Sequence, residues 1–426
     1  MNQKEIPDSA IEIVARHINE RNNRPSKIPI ITIDGETETP HYFEIIPFDQ
    51  IDNSKSKFFA TDGSYNSQEF YNGLSIGVYR AGYICYHDGK QIRLNDWDNP
   101  VILGKAYEPK NILDTNSEHR DAIYEELLEM EPVKKMLDFF DSKDAFGFNK
   151  DLVCSSLSKL LSFCQEVLEW ALVYEIANLP IVQKGDFILR DGTLRSNNIK
   201  QEYLVKLAKY IKQKELYVVA ITKNSPIKLE LSSTFKKIDS YLQDDYKPKY
   251  PFKTKNLRWQ KLYCWLEVSD DILIAAYPEA GQKKDVQEGK IQLITKTSMF
   301  AKKSLTGGRG FGVFFVARLD YVEKLQNYDW VVADFNIFDV IPEIESNNNK
   351  RDIETIKHIF FELTRLTQEH YILGYPFPLV EAHNFVTLKN DFKDEIIKRV
   401  KYVLYKEQRM DNVDIENLFL DIHERF

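Results

Sequence analysis

Residues 58–94 read FFATDGSYNSQEFYNGLSIGVYRAGYICYHDGKQIRL, and this stretch decides the fold. β-Branched and aromatic residues dominate it. Asn72-Gly73 and Asp88-Gly89 are dipeptides that favour tight hairpin turns, because Asn, Asp and Gly tolerate positive φ. Three sequential antiparallel strands are predicted. In the first of them Asp62 follows FFAT, so an acid stands at the end of an apolar strand with Gly63 and Ser64 after it. A strand end would hold the carboxylate rigidly, and the glycine would leave the backbone open to a ligand. Asp-Gly is also an ordinary turn, and the tripeptide alone favours the turn.

The same arrangement recurs at residues 185–194, GDFILRDGTL, where an apolar run ends in Asp191, Gly192 and Thr193. Two strand-end acids far apart in sequence can converge on one side of a sheet. Carboxylates meeting there suit a hard divalent cation, Mg2+ or Mn2+; the alternative is two unrelated turns. A helical stretch at 199–214 and a strand, LYVVAIT, follow, and strand–helix–strand in this order implies a parallel pair with a right-handed crossover.

Long helices are predicted over 117–145 and 151–178. In the second, Glu175 has Leu168, Ala171, Leu172 and Leu179 as helical neighbours, which puts a carboxylate on an apolar face. Such an acid needs a cation, an Arg or a proton to compensate it. Glu169 lies with Gln165, Glu166 and Val173 and reads as a solvated surface acid.

Near the C-terminus, in YPFPLVEAHNFV, Pro376 and Pro378 hold Tyr375 extended ahead of a helix starting at Leu379, with His383 one turn on. A histidine on an apolar helical face is more often a core residue than a catalyst. In AKKSLTGGRGFG, Lys302, Lys303 and Arg309 accompany four glycines. That segment reads either as a cradle for a phosphate backbone or as a solvated hairpin. No GxxxxGK[ST] stretch occurs, so an ATPase reading has no support.

Elsewhere, Ile11, Val14, Ala15 and Ile18 predict a helix over 8–22, stopped by Pro25. Residues 243–256 read as an excursion and 345–352 as a loop. Strands are predicted at YCWLEV, ILIAAYP, GVFFVARL and WVVADFNIF, and helices from IETIKHIFFELTRLTQEHYIL to the end. The 426 residues suffice for two to three domains or one elaborated one. At 43% hydrophobic and 29% charged, the chain is neither collagenous nor wholly disordered. A net charge of -8 argues against a general nucleic-acid coat and leaves room for a local basic groove. Four cysteines without CxxC spacing suggest neither a disulfide framework nor a zinc site. With no signal-like start and no apolar run of about 18 residues, a cytoplasmic chain is expected, without membrane contact.

ATDGS, LRDGTL and YPFPLVEAH, in that order, resemble the motifs of the NurA family of nucleases, over roughly residues 55–390. The resemblance implies an α/β fold: an RNase H-like mixed sheet core with flanking helices and an inserted β-rich and helical region. It divides the chain into a lead-in at 1–50, a nuclease domain at 51–390 with insertions around 100–170 and 243–310, and a helical tail at 391–426.

The function implied is DNA cleavage with Mn2+ or Mg2+, two ions being expected, in exonuclease or endonuclease mode. The family acts in DNA end processing with a HerA-type hexameric DNA-translocating ATPase, which points to a homodimer working in DNA repair or anti-phage defence. By motif, Asp62 and Asp191 correspond to metal-binding aspartates, and Tyr375 and His383 to an active-site tyrosine and histidine. The family's helix before the second aspartate supplies another acid. Glu175, 16 residues before Asp191, fits that role, with Glu169 and Glu166 as alternatives. Lys302, Lys303 and Arg309 would then contact DNA. Two other readings compete: a non-catalytic adaptor on the ATPase, and an RNase H-like enzyme acting on RNA.

Overall fold

The structure, a computed structural model, describes residues 8–22, 41–46, 55–70, 73–94, 104–114, 117–142, 144–147, 149–222, 224–231, 235, 261–268, 282–284, 291–293, 310–319, 330–346, 350–367, 374–388 and 390–419. In chain order the elements begin with α1 (Asp8–Asn22), β1 (His41–Ile46), β2 (Phe58–Glu69), β3 (Ser75–His87), β4 (Lys90–Ile92), β5 (Lys105–Tyr107) and β6 (Leu113–Asp114). Next come α2 (Ser117–Glu129), α3 (Glu131–Phe140), α4 (Lys150–Val153), α5 (Leu157–Ile176), β7 (Phe187–Asp191), α6 (Gln201–Gln213), β8 (Tyr217–Thr222) and α7 (Pro226–Glu230). The remainder is β9 (Lys261–Glu267), β10 (Gln282–Lys284), β11 (Ile291–Leu293), β12 (Gly312–Arg318), β13 (Val331–Asn336), α8 (Ile337–Val340), α9 (Ile353–Arg365), α10 (Phe377–Val386), α11 (Asn390–Lys406) and α12 (Asn412–Leu418).

Two compact units result. One holds Ser54–Val219, Arg309–Phe311 and Phe377–Phe426; the other holds Met1–Asn53, Ala220–Gly308 and Gly312–Pro376. In the first, β2 and β3 pair antiparallel from Phe58↔Tyr86 to Glu69↔Ser75, and β4 adds to β3. The meander predicted from residues 58–94 is therefore present. Its turns use the backbone that its residues permit, with φ of 79° at Gly73, 51° at Asp88 and 69° at Gly89.

Strand β7 joins β2 in parallel, from Phe58↔Phe187 to Thr61↔Arg190. Asp186 sets that register. Its Oδ1 accepts from the Lys57 N–H at 2.8 Å and its Oδ2 from the Gln183 N–H at 2.8 Å, while the Phe187 N–H donates to the Lys57 carbonyl at 2.8 Å. The Tyr217 N–H donates to the Asp186 carbonyl at 3.0 Å and brings the start of β8 beside β7. The order is β4–β3–β2–β7–β8, with β5 and β6 on β3. Three antiparallel strands followed by a parallel fourth beside the first form a mixed sheet.

The helices differ in detail from expectation. The stretch 117–145 is two helices, because Pro132 at the start of α3 has no N–H with which to continue α2, and Met130 takes an extended backbone between them. The second stretch is also two helices, α4 covering its predicted start. Ser156 turns extended and accepts from the Lys159 N–H, capping α5 at Leu157. Helix α5 packs on one face of β2 and β3, where Leu157 and Leu161 crowd Gly77. Helix α10 packs on β2 and β3 as well, with Phe377 edge-on to Tyr86 at 4.9 Å. At the far end of β2 the C-terminal helices contribute Ile415 and Phe419 to a small apolar cluster with Phe70.

In the second unit β1, β9, β12 and β13 pair antiparallel in that order. Trp265, Phe315, Phe335 and Phe360 stack at its centre, and Arg351 holds Glu267 at 2.7 Å. The stretch WVVADFNIF is a strand only as far as Asn336, whose side chain caps the short α8 through the Phe338 N–H. ILIAAYP and the excursion at 243–256 lie outside the described residues.

Candidate metal centre

Alternation along β2 decides which side chains meet. Thr61 and Gly63 face α5: a Cβ on Gly63 would sit 2.5 Å from Glu169 Oε1 and 2.7 Å from Gln165 Cγ. Asp62 and Ser64 therefore face α10. The parallel pairing of β2 with β7 ends at Thr61↔Arg190, so Asp62 and Asp191 each follow the last paired residue of neighbouring strands and share the α10 face. Asp62 was expected at a strand end. In fact β2 runs on to Glu69 against β3, and only its pairing with β7 stops there.

Ser64 fastens α10 over this point. Its hydroxyl donates to the Val386 carbonyl at 2.6 Å and accepts from the Leu388 N–H at 3.2 Å. His383, one turn back, is thereby placed with Nδ1 2.8 Å from Asp62 Oδ2, while Asp62 Oδ1 accepts from the Gly63 N–H at 2.7 Å. The helix starts at Phe377, earlier than predicted, because a proline in the first turn, here Pro378, lacks only an N–H that has no helical partner.

One donor atom from each of Asp62, Asp191 and His383 lies within 4.8 Å of the others. Two carboxylates and an imidazole at that spacing offer three donors to a divalent cation. Asp62 is 7% exposed and the His383 side chain 51%, so the group is walled at the strand and open on the histidine side.

The other predicted residues lie as follows. Glu175 is buried on its apolar face, as expected, and a lysine compensates it. Its Oε1 accepts from Lys105 Nζ at 2.6 Å, and the Tyr83 and Tyr107 hydroxyls also donate to it. Tyr83 pairs with Thr61 and so faces α5, which places Glu175 against the face of the sheet opposite Asp62. It is not one of the three groups brought together. Glu166 accepts from the Ser196 hydroxyl and the Asn198 amide. Tyr375 belongs to the second unit, is buried, and donates its hydroxyl to the Ile221 carbonyl at 3.3 Å. Lys302, Lys303 and Arg309 lie outside the described residues.

Glu169 overturns its reading as a surface acid. It is 4% exposed, its Oε2 lies 2.7 Å from Arg190 Nη2, and its Oε1 accepts from Gln165 at 2.8 Å. Burial pushes its carboxyl from the ordinary 4.5 up to about 7; Asp62 adds to the rise, while Arg190 and Gln165 oppose it. Between those values the folded chain holds a proton that the unfolded chain has released, so stability is lost as pH rises through that window. The melting temperature of the metal-free parent should fall between about pH 4.5 and pH 7, and Glu169→Gln should flatten that fall. An unchanged slope in the variant would assign the pH dependence to another group.

Sequence reasoning overlooked Arg190 and the fastening role of Ser64. Both were visible in the quoted motifs: Ser64 shares the parity of Asp62, and Arg190 precedes Asp191 and so must face α5.

Residues 56–244 match the NurA domain family. No curated protein matches the chain. Among solved structures, endonuclease V of Ciona intestinalis, in complex with a 23mer DNA containing an inosine followed by a ribo-adenosine, is similar at 11% identity over 91% of this chain and 99% of that one. The TM-score is 0.25.

Proposed function

We propose that this chain, whose residues 56–244 match the NurA domain family, is a divalent-metal-dependent DNA nuclease. The observation that carries the reading is the convergence of Asp62, Asp191 and His383 where β2 and β7 part. One or two Mn2+ or Mg2+ ions bound there supply Lewis-acid polarisation of a phosphodiester and activation of water.

The chain's own residues do the rest. Asp62 and Asp191 provide the negative charge that holds the cation, and the Gly63 N–H fixes the orientation of Asp62. In its doubly protonated form the His383 ring donates through Nδ1 to Asp62 and keeps a second N–H, on a half-exposed side chain, to hand to the leaving oxygen. Glu175 acts as a structural acid, because three donors already occupy it. Tyr375 anchors the segment that leads into α10.

In this reading the protein processes DNA ends as a homodimer beside a HerA-type hexameric ATPase, in DNA repair or defence against phage. Its net charge of -8 and the lack of a GxxxxGK[ST] stretch in this sequence support a separate motor. Among the described residues no helix is long and apolar enough to cross a membrane.

The test is digestion of end-labelled single- and double-stranded DNA and matched RNA, with Mn2+ or EDTA, with and without the ATPase and ATP. The expected result is Mn2+-dependent DNA cleavage that the ATPase accelerates. His383→Ala should lower turnover by about 10²-fold, a larger loss than the accompanying weakening of Mn2+ binding. Cleavage confined to RNA, or insensitive to EDTA, would refute the nuclease reading. An ATPase without effect refutes only the partnership.

A further inference from the structure

We propose that Arg190, with Glu169 as its hydrogen-bond partner, is a positioning residue that holds both metal-binding aspartates in place from the α5 face of the sheet. The inference rests on the metal-dependent nuclease reading above. Arg190 is 6% exposed and makes three contacts at once. Its Nη2 meets Glu169 Oε2 at 2.7 Å, its Nη1 donates to the Thr193 carbonyl at 2.6 Å, and its guanidinium lies 4.8 Å over the Trp170 ring.

The Thr193 contact closes the turn that follows Asp191. Gly192 there has φ 108°, and a Cβ on it would lie 3.1 Å from Arg190 Nη1, so the guanidinium fills the space under the turn. The far end of the bridge reaches the other aspartate. Glu169 Oε1 occupies the space beneath Gly63, the residue after Asp62. Backbone after Asp191, guanidinium, carboxylate and backbone after Asp62 thus form one continuous support under the two ligands.

A buried ion pair is commonly no more stabilising than an apolar pair of similar volume. What the fork of an arginine adds is fixed geometry, which ligand carboxylates need to within about 0.5 Å. Loss of such outer partners typically costs about 10–100-fold in metal affinity or activity.

The experiment compares the full chain with Arg190→Lys, Glu169→Gln, Asp62→Asn and the double variant Arg190→Met with Glu169→Met. Mn2+ binding is read by titration calorimetry, folding by thermal melting, and DNA cleavage as separate kcat and KM. The double variant should fold like the parent, bind Mn2+ about 10-fold more weakly or worse, and lose kcat at unchanged KM. Arg190→Lys keeps the charge but not the fork, and should show the same direction; it decides the matter if the double variant fails to fold.

Parent-like Mn2+ affinity and kcat in the Arg190 variants would overturn the proposal while leaving the nuclease reading intact. So would a loss in Glu169→Gln as large as that in Asp62→Asn, since Glu169 would then itself be a ligand. If the parent binds no Mn2+, or Asp62→Asn binds it equally well, the metal reading falls and this inference with it.

Discussion

Asp62→Asn is expected to lower DNA cleavage by at least about 10³-fold, equivalent to about 4 kcal/mol of lost transition-state stabilisation, while the chain stays folded. The substitution preserves shape. An asparagine carbonyl can still accept from the Gly63 N–H that now bonds Asp62 Oδ1 at 2.7 Å. What disappears is one of two negative charges at the parting of β2 and β7, together with the anionic partner of His383 Nδ1. The apolar residues around it, Phe59 and Ala60 on the same strand, keep their burial. Single-turnover cleavage at saturating Mn2+, with a melting curve on the same sample, checks this. Retention of more than about a tenth of the parent rate by a folded variant would remove Asp62 from the centre of the mechanism.

The second large effect is expected from Gly63→Ala, which should destabilise the chain by about 1–3 kcal/mol and weaken Mn2+ binding together. The new methyl would lie 2.5 Å from Glu169 Oε1, 2.7 Å from Gln165 Cγ and 3.2 Å from the Arg80 carbonyl. Glu169 has little room to yield, because Arg190 and Gln165 grip its two oxygens in a buried site. Either the helix moves off the strand or the strand moves toward α10, and both displace Asp62. Urea unfolding with and without Mn2+ would show it. Unaltered stability within about 0.5 kcal/mol would mean that this face of the strand is looser than its contacts imply.

Much of the site could be read from two tetrapeptides. Thr-Asp-Gly-Ser at 61–64 and Arg-Asp-Gly-Thr at 190–193 each follow an apolar run, and equal offsets from two strand starts are what bring Asp62 and Asp191 side by side. The meander was legible for the same kind of reason: its turn residues and its period of two reinforce each other.

Glu169 was not legible. Ranking it below Glu175 relied on a helix having one wet face, but α5 is buried from Leu160 to Ile176 at almost every position, so periodicity selects no face. Only tertiary pairing with Arg190 distinguishes the two acids, and no local pattern encodes a partner 21 residues away. The break at Met130 was legible in principle, since Pro132 announces it.

The side-by-side placement of Asp62 and Asp191 also means that the site is written in odd and even numbers. Along each strand the residues serving the cation alternate with those serving the supporting bridge: Gly63 and Arg190 on one count, Asp62 and Asp191 on the other. A substitution alters one letter of that message. Gaining a single residue between Asp186 and Arg190 shifts the reading frame of β7 against β2, and delivers a guanidinium where a carboxylate belonged although both side chains are still present. Chemistry in this chain is therefore exposed to errors of spacing as well as of identity, and Asp186, which anchors the count from the far end of the strand, guards the spacing without touching a ligand.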